Sequence, residues 1–342
     1  MFAVRREICA YAIDKTDFYG YYILTMELKD IISRFIITDT GGRDDYSHGC
    51  AAAVGCFDGV HLGHRALIGE LCVRANEKRL PAVIFTFLPD DRPKQNTKLL
   101  ASRRGNLRLL AACGVNRVIE IPFGAVRDIP AEDFVRDILL RAFDVRLAVG
   151  GYNFRFGYRG SGDNALLAAV LAEGGAECFV TPAYTFCGIP VSSTEIRERI
   201  HRGDVRTANA MLGRQYSFSG TIIHGKGIGH ILGFPTINIH FPQNFTVPRY
   251  GVYASEVRLD GITYGGVTNI GIRPTFGGDT VPMSETFIFG FSGDVYGRTA
   301  AVSLCGFIRD ERRFESTDTL KNQIETDKIY AKSILSEGGP AI

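Results

Sequence analysis

The chain has 342 residues, enough for two domains, and 45% of them are hydrophobic, so each domain can form its own core. A formal net charge of only +2 argues against a nucleic-acid partner. No apolar run approaches the roughly 18 residues of a membrane span, no apolar signal segment begins the chain, and the eight cysteines form no C-x-x-C pair, so we expect a reduced, cytoplasmic protein without a membrane partner.

Residues 1–50 give few structural signals. Tyrosines at 19, 21 and 22 lie close together, and the Gly-Gly-Arg-Asp-Asp segment at 41–45 predicts a loop. We treat 1–50 as an N-terminal arm and assign it no role.

A strand, a turn and a helix are predicted from residue 51 onward. Ala51–Val54 is an apolar run typical of a buried parallel strand, Gly59 follows it, and helix-forming residues continue to Leu71. A helix entered from such a turn points its free N–H groups and positive dipole end at the space above the turn. An anion such as a triphosphate is favoured there.

Two histidines lie in this turn. His61 and His64 are three residues apart and therefore share one side of the first helical turn, where imidazoles can stabilise charge on an attacked α-phosphate. A zinc site that includes Cys56 is one alternative, although no fourth ligand is well spaced. A structural glycine-rich turn with incidental histidines is the other.

Strand-like and helix-like runs then alternate as far as about residue 187. The predicted strands are 82–87, 117–121 and 145–149, and the predicted helices are 104–113 and 131–142. This alternation predicts a parallel sheet with crossover helices, whose ligands gather at the carboxyl ends of the strands.

The run from Gly55 to His64 reads G-C-F-D-G-V-H-L-G-H. It resembles the nucleotidyltransferase signature of bacterial bifunctional riboflavin kinase/FMN adenylyltransferases, also called FAD synthetases. The resemblance implies that His61 and His64 are catalytic and that ATP is bound by Gly55, Phe57, Asp58 and Gly59. Members of that family usually begin closer to the signature, so one hypothesis is that Met26 is the true start, the residues before it being an extra arm or a translation-start artefact.

Two further segments of the first half resemble the same family. Gly151–Gly157 is similar to G-x-[D/N]-F-x-F-G, in which Asn153 would bind ATP or flavin; alternatively, it caps a turn. Ser192–Arg197 is similar to S-S-T-x-I-R, a helix start at which hydroxyls, N–H groups and an arginine converge on phosphates. The residues implied are Ser193, Thr194 and Arg197, and the alternative is an ordinary Ser/Thr N-cap.

The second half indicates a different module. Short strands at 217–223, 251–258, 263–268, 285–291 and 299–305 are separated by turn signals, which predicts an antiparallel barrel or sandwich, and a helix over 319–335 closes the chain. With the boundary placed near 212–215, we predict one domain over 51–212 and a second over 213–338.

Residues 220–238 combine a glycine-rich segment with a short extended one. The glycines predict a flexible flap over phosphates. Thr236 and Asn238, two apart on an extended segment, point the same way, and two oxygen ligands on one face suit Mg²⁺ bridging ATP phosphates. A glycine-rich hairpin followed by a proline-terminated turn is the alternative.

These residues resemble the riboflavin kinase signature G-x-G-x-x-L-G-F-P-T-A-N. The implied ATP-binding residues are Gly225, Lys226, Gly227, Gly229, Thr236 and Asn238, the last two also as metal ligands. Glu285 begins a segment that resembles E-x-H-I-x-D-F and is our candidate base for the ribityl hydroxyl, the alternative being a surface glutamate. Arg309 is assigned to the flavin side from its position.

The chain departs from the family pattern at five positions. Gly105-Asn106 stands where Glu-Lys is common, so that lysine is absent or replaced by a nearby arginine. His230, Phe287 and Gly290 stand at the usual Arg, His and Asp.

The resemblance implies an α/β fold in which an N-terminal Rossmann-like nucleotidyltransferase parallel sheet precedes a C-terminal riboflavin-kinase antiparallel β-barrel with a terminal helix. It implies that the second module phosphorylates riboflavin with Mg-ATP to FMN, and that the first adenylylates FMN with ATP to FAD and pyrophosphate. Two alternatives remain open. One is a monofunctional FMN adenylyltransferase with a flavin-binding but inactive kinase module, and the other is a non-catalytic flavin-binding protein.

Overall fold

The computed structural model describes residues 26–41, 45–93, 97–225, 234–274 and 280–337. These residues divide into two compact units. The first runs from Met26 to Thr97 and from Arg103 to Thr185, and the second contains Lys98–Ser102 and the described residues from Phe186 onward. No helix in these ranges has the length and apolar character needed to cross a membrane.

A six-stranded sheet forms the centre of the first unit. In chain order its elements are α1 (Met26–Ser33), β1 (Ile36–Asp39), β2 (Cys50–Val54), α2 (Leu62–Glu77), β3 (Ala82–Phe87), α3 (Arg103–Ala112), β4 (Arg117–Ile121), α4 (Phe123–Val126), α5 (Ala131–Asp133), a π-helix (Phe134–Ala142), β5 (Val145–Gly151), α6 (Asn164–Glu173) and β6 (Glu177–Thr181). The strand order is β1-β4-β3-β2-β5-β6. Strands β2 to β6 are parallel, and β1 adds an antiparallel edge.

Helices cover both faces of this sheet. Ala52 of β2 belongs to the core on the side of α1, the π-helix and α6, whereas Ala51 and Ala53 belong to the core on the side of α2 and α3. This alternation follows from the period-two side-chain geometry of a strand buried on both faces. The predicted Rossmann-like layering is confirmed.

The sequence did not predict the elements before residue 50. Leu28 and Ile32 of α1 and Phe35 after it are buried in the core of the first unit. The β1 strand pairs with β4, and Asp39 accepts a hydrogen bond from Arg117 Nε at 2.5 Å. Residues 26–39 therefore complete the sheet and its core, while residues 1–25 lie outside the described part.

The second unit is built on a six-stranded antiparallel sheet. Its elements are the two-residue strands β7 (Thr185–Phe186, which starts at the end of the first unit) and β8 (Ile189–Pro190), α7 (Ser193–His201), α8 (Val205–Leu212), β9 (Tyr216–Thr221), β10 (Thr236–His240), β11 (Gly251–Leu259), β12 (Ile262–Pro274), β13 (Thr280–Ile288), β14 (Thr299–Arg309) and α9 (Thr317–Ser336). The sheet order is β10-β13-β12-β11-β14-β9.

The sheet curls so that its two edges meet. Just after β9, the N–H of Ile223 donates to the carbonyl oxygen of Asn238 in β10 at 2.9 Å. Phe218 and Phe241 pack inside with ring centroids 4.0 Å apart. Helix α9 lies on the outer face, where Ala331 packs with Val252 and Val267. The predicted antiparallel barrel with a terminal helix is therefore confirmed.

Candidate active sites in the two units

The first sheet changes its direction of winding between two adjacent strands. From β2 the chain proceeds to β3 and β4 on one side, and β5 leads to β6 on the other. Ligands of open α/β sheets bind outside the carboxyl ends of the strands at such a switch point. The loop Gly55–His61 follows β2, and the segment Gly151–Gly157 follows β5. Both predicted motifs of the first unit therefore lie at the switch point.

The loop Gly55–His61, called the nucleotide loop below, has an unusual backbone. Phe57 (φ 41°), Gly59 (φ 77°) and Val60 (φ 39°) all have positive φ, a region that glycine tolerates and a β-branched residue disfavours. Phe57 is 2% exposed and Val60 is fully buried. Such conformations persist only where the surrounding structure imposes them, and they concentrate at functional sites.

The two histidines contact each other at the start of α2. His61 is the N-cap, and its Nδ1 accepts a hydrogen bond from the backbone N–H of His64 at 3.2 Å. The rings stack with centroids 3.6 Å apart, and Phe57 packs against His64 at 5.1 Å. An Nδ1 that accepts a hydrogen bond leaves the proton of neutral His61 on Nε2. His61 can therefore donate from Nε2 to an anion.

Asp58 is a buried acidic residue of the nucleotide loop. It is 4% exposed and pairs with Arg92, whose Nη1 is 3.8 Å from Asp58 Oδ2. Arg92 also donates to the carbonyl oxygen of Thr97. This pair joins the nucleotide loop to the chain after β3. In the described residues, no three His, Cys, Asp or Glu side chains form a group that could hold a metal, so the zinc alternative gains no support.

Stacked aromatic rings hold the segment after β5. Phe154 and Phe156 stack with centroids 5.2 Å apart, and Phe156 also packs with Phe134 at 6.0 Å. Asn153 precedes them and is exposed. Helix α6 follows the N-cap residue Asp163. The backbone N–H of Leu166 donates to the Asp163 carboxylate and lowers the pKa of Asp163 below its ordinary value.

The motif Ser192–Arg197 belongs to the second unit. The Ser192 hydroxyl accepts from the backbone N–H of Glu195 at 3.2 Å and caps α7, as the alternative interpretation proposed. Ser193 and Thr194 form the first turn of α7, and Arg197 Nε donates to the carbonyl oxygen of Lys98 at 2.6 Å. A phosphate-binding role for these residues stays a prediction.

The structure brings together three predicted residues of the second unit. Asn238 of β10 is directly opposite Glu285 of β13, and Thr236 lies two residues along the same face. The Thr236 hydroxyl donates to Glu285 Oε1 at 2.9 Å. Asn238 is 2% exposed, and its Oδ1 has no hydrogen-bond partner among the described residues. Buried polar atoms usually have partners, so this oxygen is a candidate ligand atom.

Gly225 begins the predicted flap and lies against the side chain of Asn238. An ideal Cβ there would overlap the amide group of Asn238. The rest of the flap motif, Lys226, Gly227 and Gly229, lies outside the described residues, as does His230.

Comparison with known proteins agrees with this division. The family model described as FAD synthetase matches residues 43–195, and the riboflavin kinase model matches 212–335. A bifunctional riboflavin kinase/FMN adenylyltransferase of Escherichia coli K12 is 36% identical over 305 residues, covering 86% of this chain and 95% of the relative. The Bacillus subtilis protein of the same name is 34% identical, covering 82% and 90%.

The chain belongs to the bifunctional riboflavin kinase/FMN adenylyltransferase family. A solved structure of a Streptococcus pneumoniae protein, titled a macrolide-efflux protein, has the same fold, with a TM-score of 0.76, 26% identity, and coverage of 85% of this chain and 95% of that one.

Two departures from the family pattern have a local physical explanation. Phe287 is directly opposite Thr236, packs against Phe234 at 5.4 Å between ring centroids, and lies 5.5 Å from the ammonium nitrogen of Lys328. Phe287 therefore forms an aromatic pair with Phe234, and the Lys328 ammonium makes a cation–π contact with this pair. Gly290 has φ 66° in the turn after β13, a conformation for which glycine is well suited.

Arg309 is held by a carboxylate that the sequence analysis missed. Its guanidinium donates to both oxygens of Asp327 in α9, at 2.9 Å from Nε to Oδ1 and 2.7 Å from Nη2 to Oδ2. Asp327 is 2% exposed and also accepts from Gln323 at 2.7 Å. This clamp joins β14 to α9, and a flavin contact by Arg309 stays a prediction. The signal that could have revealed this pair is Asp327 itself, a charged residue at a buried position of an amphipathic helix, since a buried charge needs a partner.

Proposed function

We propose that this chain phosphorylates riboflavin with ATP to FMN and adenylylates FMN with ATP to FAD, releasing pyrophosphate. The observation that carries the proposal is the occurrence of both family models, one after the other, in a chain that covers 95% of the Escherichia coli bifunctional enzyme. The substrates are riboflavin, FMN and ATP, all small molecules.

Adenylyl transfer is assigned to the nucleotide loop and the start of α2. The FMN phosphate attacks the α-phosphate of ATP, the new P–O bond forms, and the bond to pyrophosphate breaks. Charge develops on the α-phosphoryl oxygens, where the Nε2–H of His61, His64 and the free N–H groups of the helix start would stabilise it. Gly55, Phe57, Asp58 and Gly59 shape the loop, and Asn153 is proposed to contact the nucleotide or flavin. Ser193, Thr194 and Arg197 are proposed to bind the phosphates of the ATP used for adenylylation.

Phosphoryl transfer is assigned to the strand pair β10–β13. Glu285 would accept the proton of the terminal ribityl hydroxyl as that oxygen attacks the γ-phosphorus, while the bond from the γ-phosphorus to the β,γ-bridging oxygen breaks and ADP leaves. The Thr236 hydroxyl can keep donating to Glu285 and still use its oxygen lone pairs as acceptors, so the same residue would orient the base and offer an oxygen ligand.

A magnesium ion fits the oxygen atoms of this pair. Thr236 Oγ1 and the buried Asn238 Oδ1, which has no hydrogen-bond partner among the residues that the structure describes, lie on one strand face, and hard oxygen donors are what Mg²⁺ prefers. When bound there, Mg²⁺ would neutralise charge on the ATP phosphates. Gly225, Lys226, Gly227 and Gly229 are proposed to cover these phosphates, and Arg309 is retained as a proposed contact on the flavin side.

The functional halves and the location are also proposals. We assign adenylylation to 51–212 and kinase activity to 213–338, supported by the matched ranges 43–195 and 212–335. A cytoplasmic location is supported by the seven described cysteines, none of which forms a disulfide bond. Burial raises the pKa of Cys50, and that of Cys305, to about 12.

The test separates flavins by chromatography after incubation of the protein with riboflavin, ATP and Mg²⁺. FMN and FAD are both expected. FAD formed only from supplied FMN would indicate the monofunctional alternative, and no product from either flavin would indicate a binding protein. His64→Ala is expected to abolish FAD formation and leave FMN formation, whereas Glu285→Ala should do the reverse when FMN is supplied. Equal damage to both reactions by both variants would contradict the two-site assignment.

A further inference from the structure

The nucleotide loop needs external support, because its own residues disfavour its shape. Val60 is β-branched and Phe57 is aromatic, yet both have positive φ. The backbone between them must therefore be held by groups from other elements.

Two side chains outside the loop bond to its backbone. The Thr86 hydroxyl of β3 donates to the carbonyl oxygen of Cys56 at 3.1 Å. The amide oxygen Oδ1 of Asn106 accepts the backbone N–H of Gly59 at 3.0 Å. The second bond holds Gly59, which lies between Phe57 and Val60 and two residues before His61.

Asn106 is carried by a well-fixed helix. In α3, Arg103 makes a two-point ion pair with Glu120 of β4, at 2.8 Å from Nε to Oε1 and 2.7 Å from Nη2 to Oε2. Glu120 is 2% exposed, and Leu110 of α3 is 1% exposed. The amide of Asn106 is thus presented to the loop from a rigid support, which is what accurate placement of a site requires.

We propose that Asn106 is a positioning residue for adenylyl transfer, which acts by fixing the Gly59 N–H and through it the placement of His61. The inference rests on the proposed function of the nucleotide loop. Asn106 stands where the family pattern commonly has lysine, and a lysine side chain has no acceptor for this N–H. This way of holding the loop belongs to chains with an acceptor at that position.

The experiment compares three variants in the full-length protein. Asn106→Ala removes the acceptor and is favourable in a helix. Asn106→Asp keeps an oxygen in the same place. Asn116→Ala is the matched control, because Asn116 Oδ1 accepts the backbone N–H of Ala82 at 2.7 Å at the opposite, amino-terminal end of β3. For each variant, kcat and KM are measured for FMN adenylylation, and the riboflavin kinase rate serves as an internal reference.

Asn106→Ala is expected to lower kcat for adenylylation about tenfold, the value of one hydrogen bond lost in the transition state. Its KM for FMN and its kinase rate should stay within about twofold of the parent, a change too small to reflect a lost hydrogen bond. Asn106→Asp should restore kcat, and Asn116→Ala should leave it unchanged. Unchanged kcat in Asn106→Ala, equal loss in Asn106→Asp, or equal loss in Asn116→Ala would each overturn the inference. A parent protein that makes no FAD from FMN would instead refute the proposed function.

Discussion

The clamp between Arg309 and Asp327 gives the sharpest stability prediction. Asp327→Ala leaves the Arg309 guanidinium, with its side chain only 20% exposed, facing a cavity where two of its donors had a carboxylate. Removing one partner of a buried ion pair costs about 3 to 5 kcal/mol, and the partial exposure of Arg309 favours the lower figure, about 3 kcal/mol. For a domain of this size that corresponds to a fall of about 6 to 12 °C in Tm.

The assay follows each unit separately. Aliquots are heated for a fixed time and assayed for FMN formation and for FAD formation from supplied FMN, so that loss of either activity reports its own unit. Asp327→Ala should lower the inactivation temperature of the kinase reaction and leave that of adenylylation unchanged.

Glu325→Ala is the matched control on the same helix. It breaks the more exposed pair with Lys328, whose Nζ lies 2.8 Å from Glu325 Oε2. Such a pair contributes about 0.5 kcal/mol. If Asp327→Ala shifted the kinase inactivation temperature no more than Glu325→Ala, the clamp would not stabilise the unit and the reasoning would be refuted.

Three further predictions concern the two sites and pH. Gly225→Ala should reduce kinase kcat at least tenfold without changing adenylylation, because the new methyl group would overlap the amide of Asn238 and force it to move. Unchanged kinase kinetics would contradict that contact. Cys56 and Cys187 are exposed, so a maleimide should label both, and ATP should protect only Cys56; mass spectrometry after digestion measures this, and equal protection of both would count against the loop as an ATP site. Asp163 has a lowered pKa in the folded state, so its stabilisation of α6 is present above the unfolded pKa and is lost as pH falls through the folded one; Asp163→Asn should flatten this acid dependence in thermal melts, and an unaltered profile would contradict it.

Much of the fold followed from local pattern. The apolar runs of β2, β3 and β5 and the helices between them were recognisable because a strand buried on both faces is continuously apolar. Short strands separated by turn signals likewise predicted an antiparallel barrel or sandwich in the second half, at 217–223, 251–258, 263–268, 285–291 and 299–305. Residues 26–39 were missed because a short helix and an antiparallel edge strand have no parallel-strand pattern, and their burial depends on the Phe35 and Leu28 contacts made only in the folded unit.

Residues of the candidate sites were predicted where they belong to a short motif, and their supporting residues were not. Thr236 and Asn238 were chosen together and Glu285 separately, and only strand register puts Asn238 opposite Glu285. The supports of the sites were not predicted. Asn106 and Asp327 act on partners 47 and 18 positions away, and no short motif contains both members of such a pair.

The positive φ angles of Phe57 and Val60 bear on how this motif can be transferred between proteins. A ten-residue graft of Gly55–His64 into another α/β scaffold would bring the histidines and leave behind Thr86, Arg92 and Asn106, which come from β3, the chain after it, and α3. In such a chimera the two strained residues would relax toward negative φ, and His61 would turn away from the ring of His64. A graft that keeps the shape of this site must therefore include the loop together with its three external contacts. A design that copies only the contiguous sequence of the loop would be incomplete.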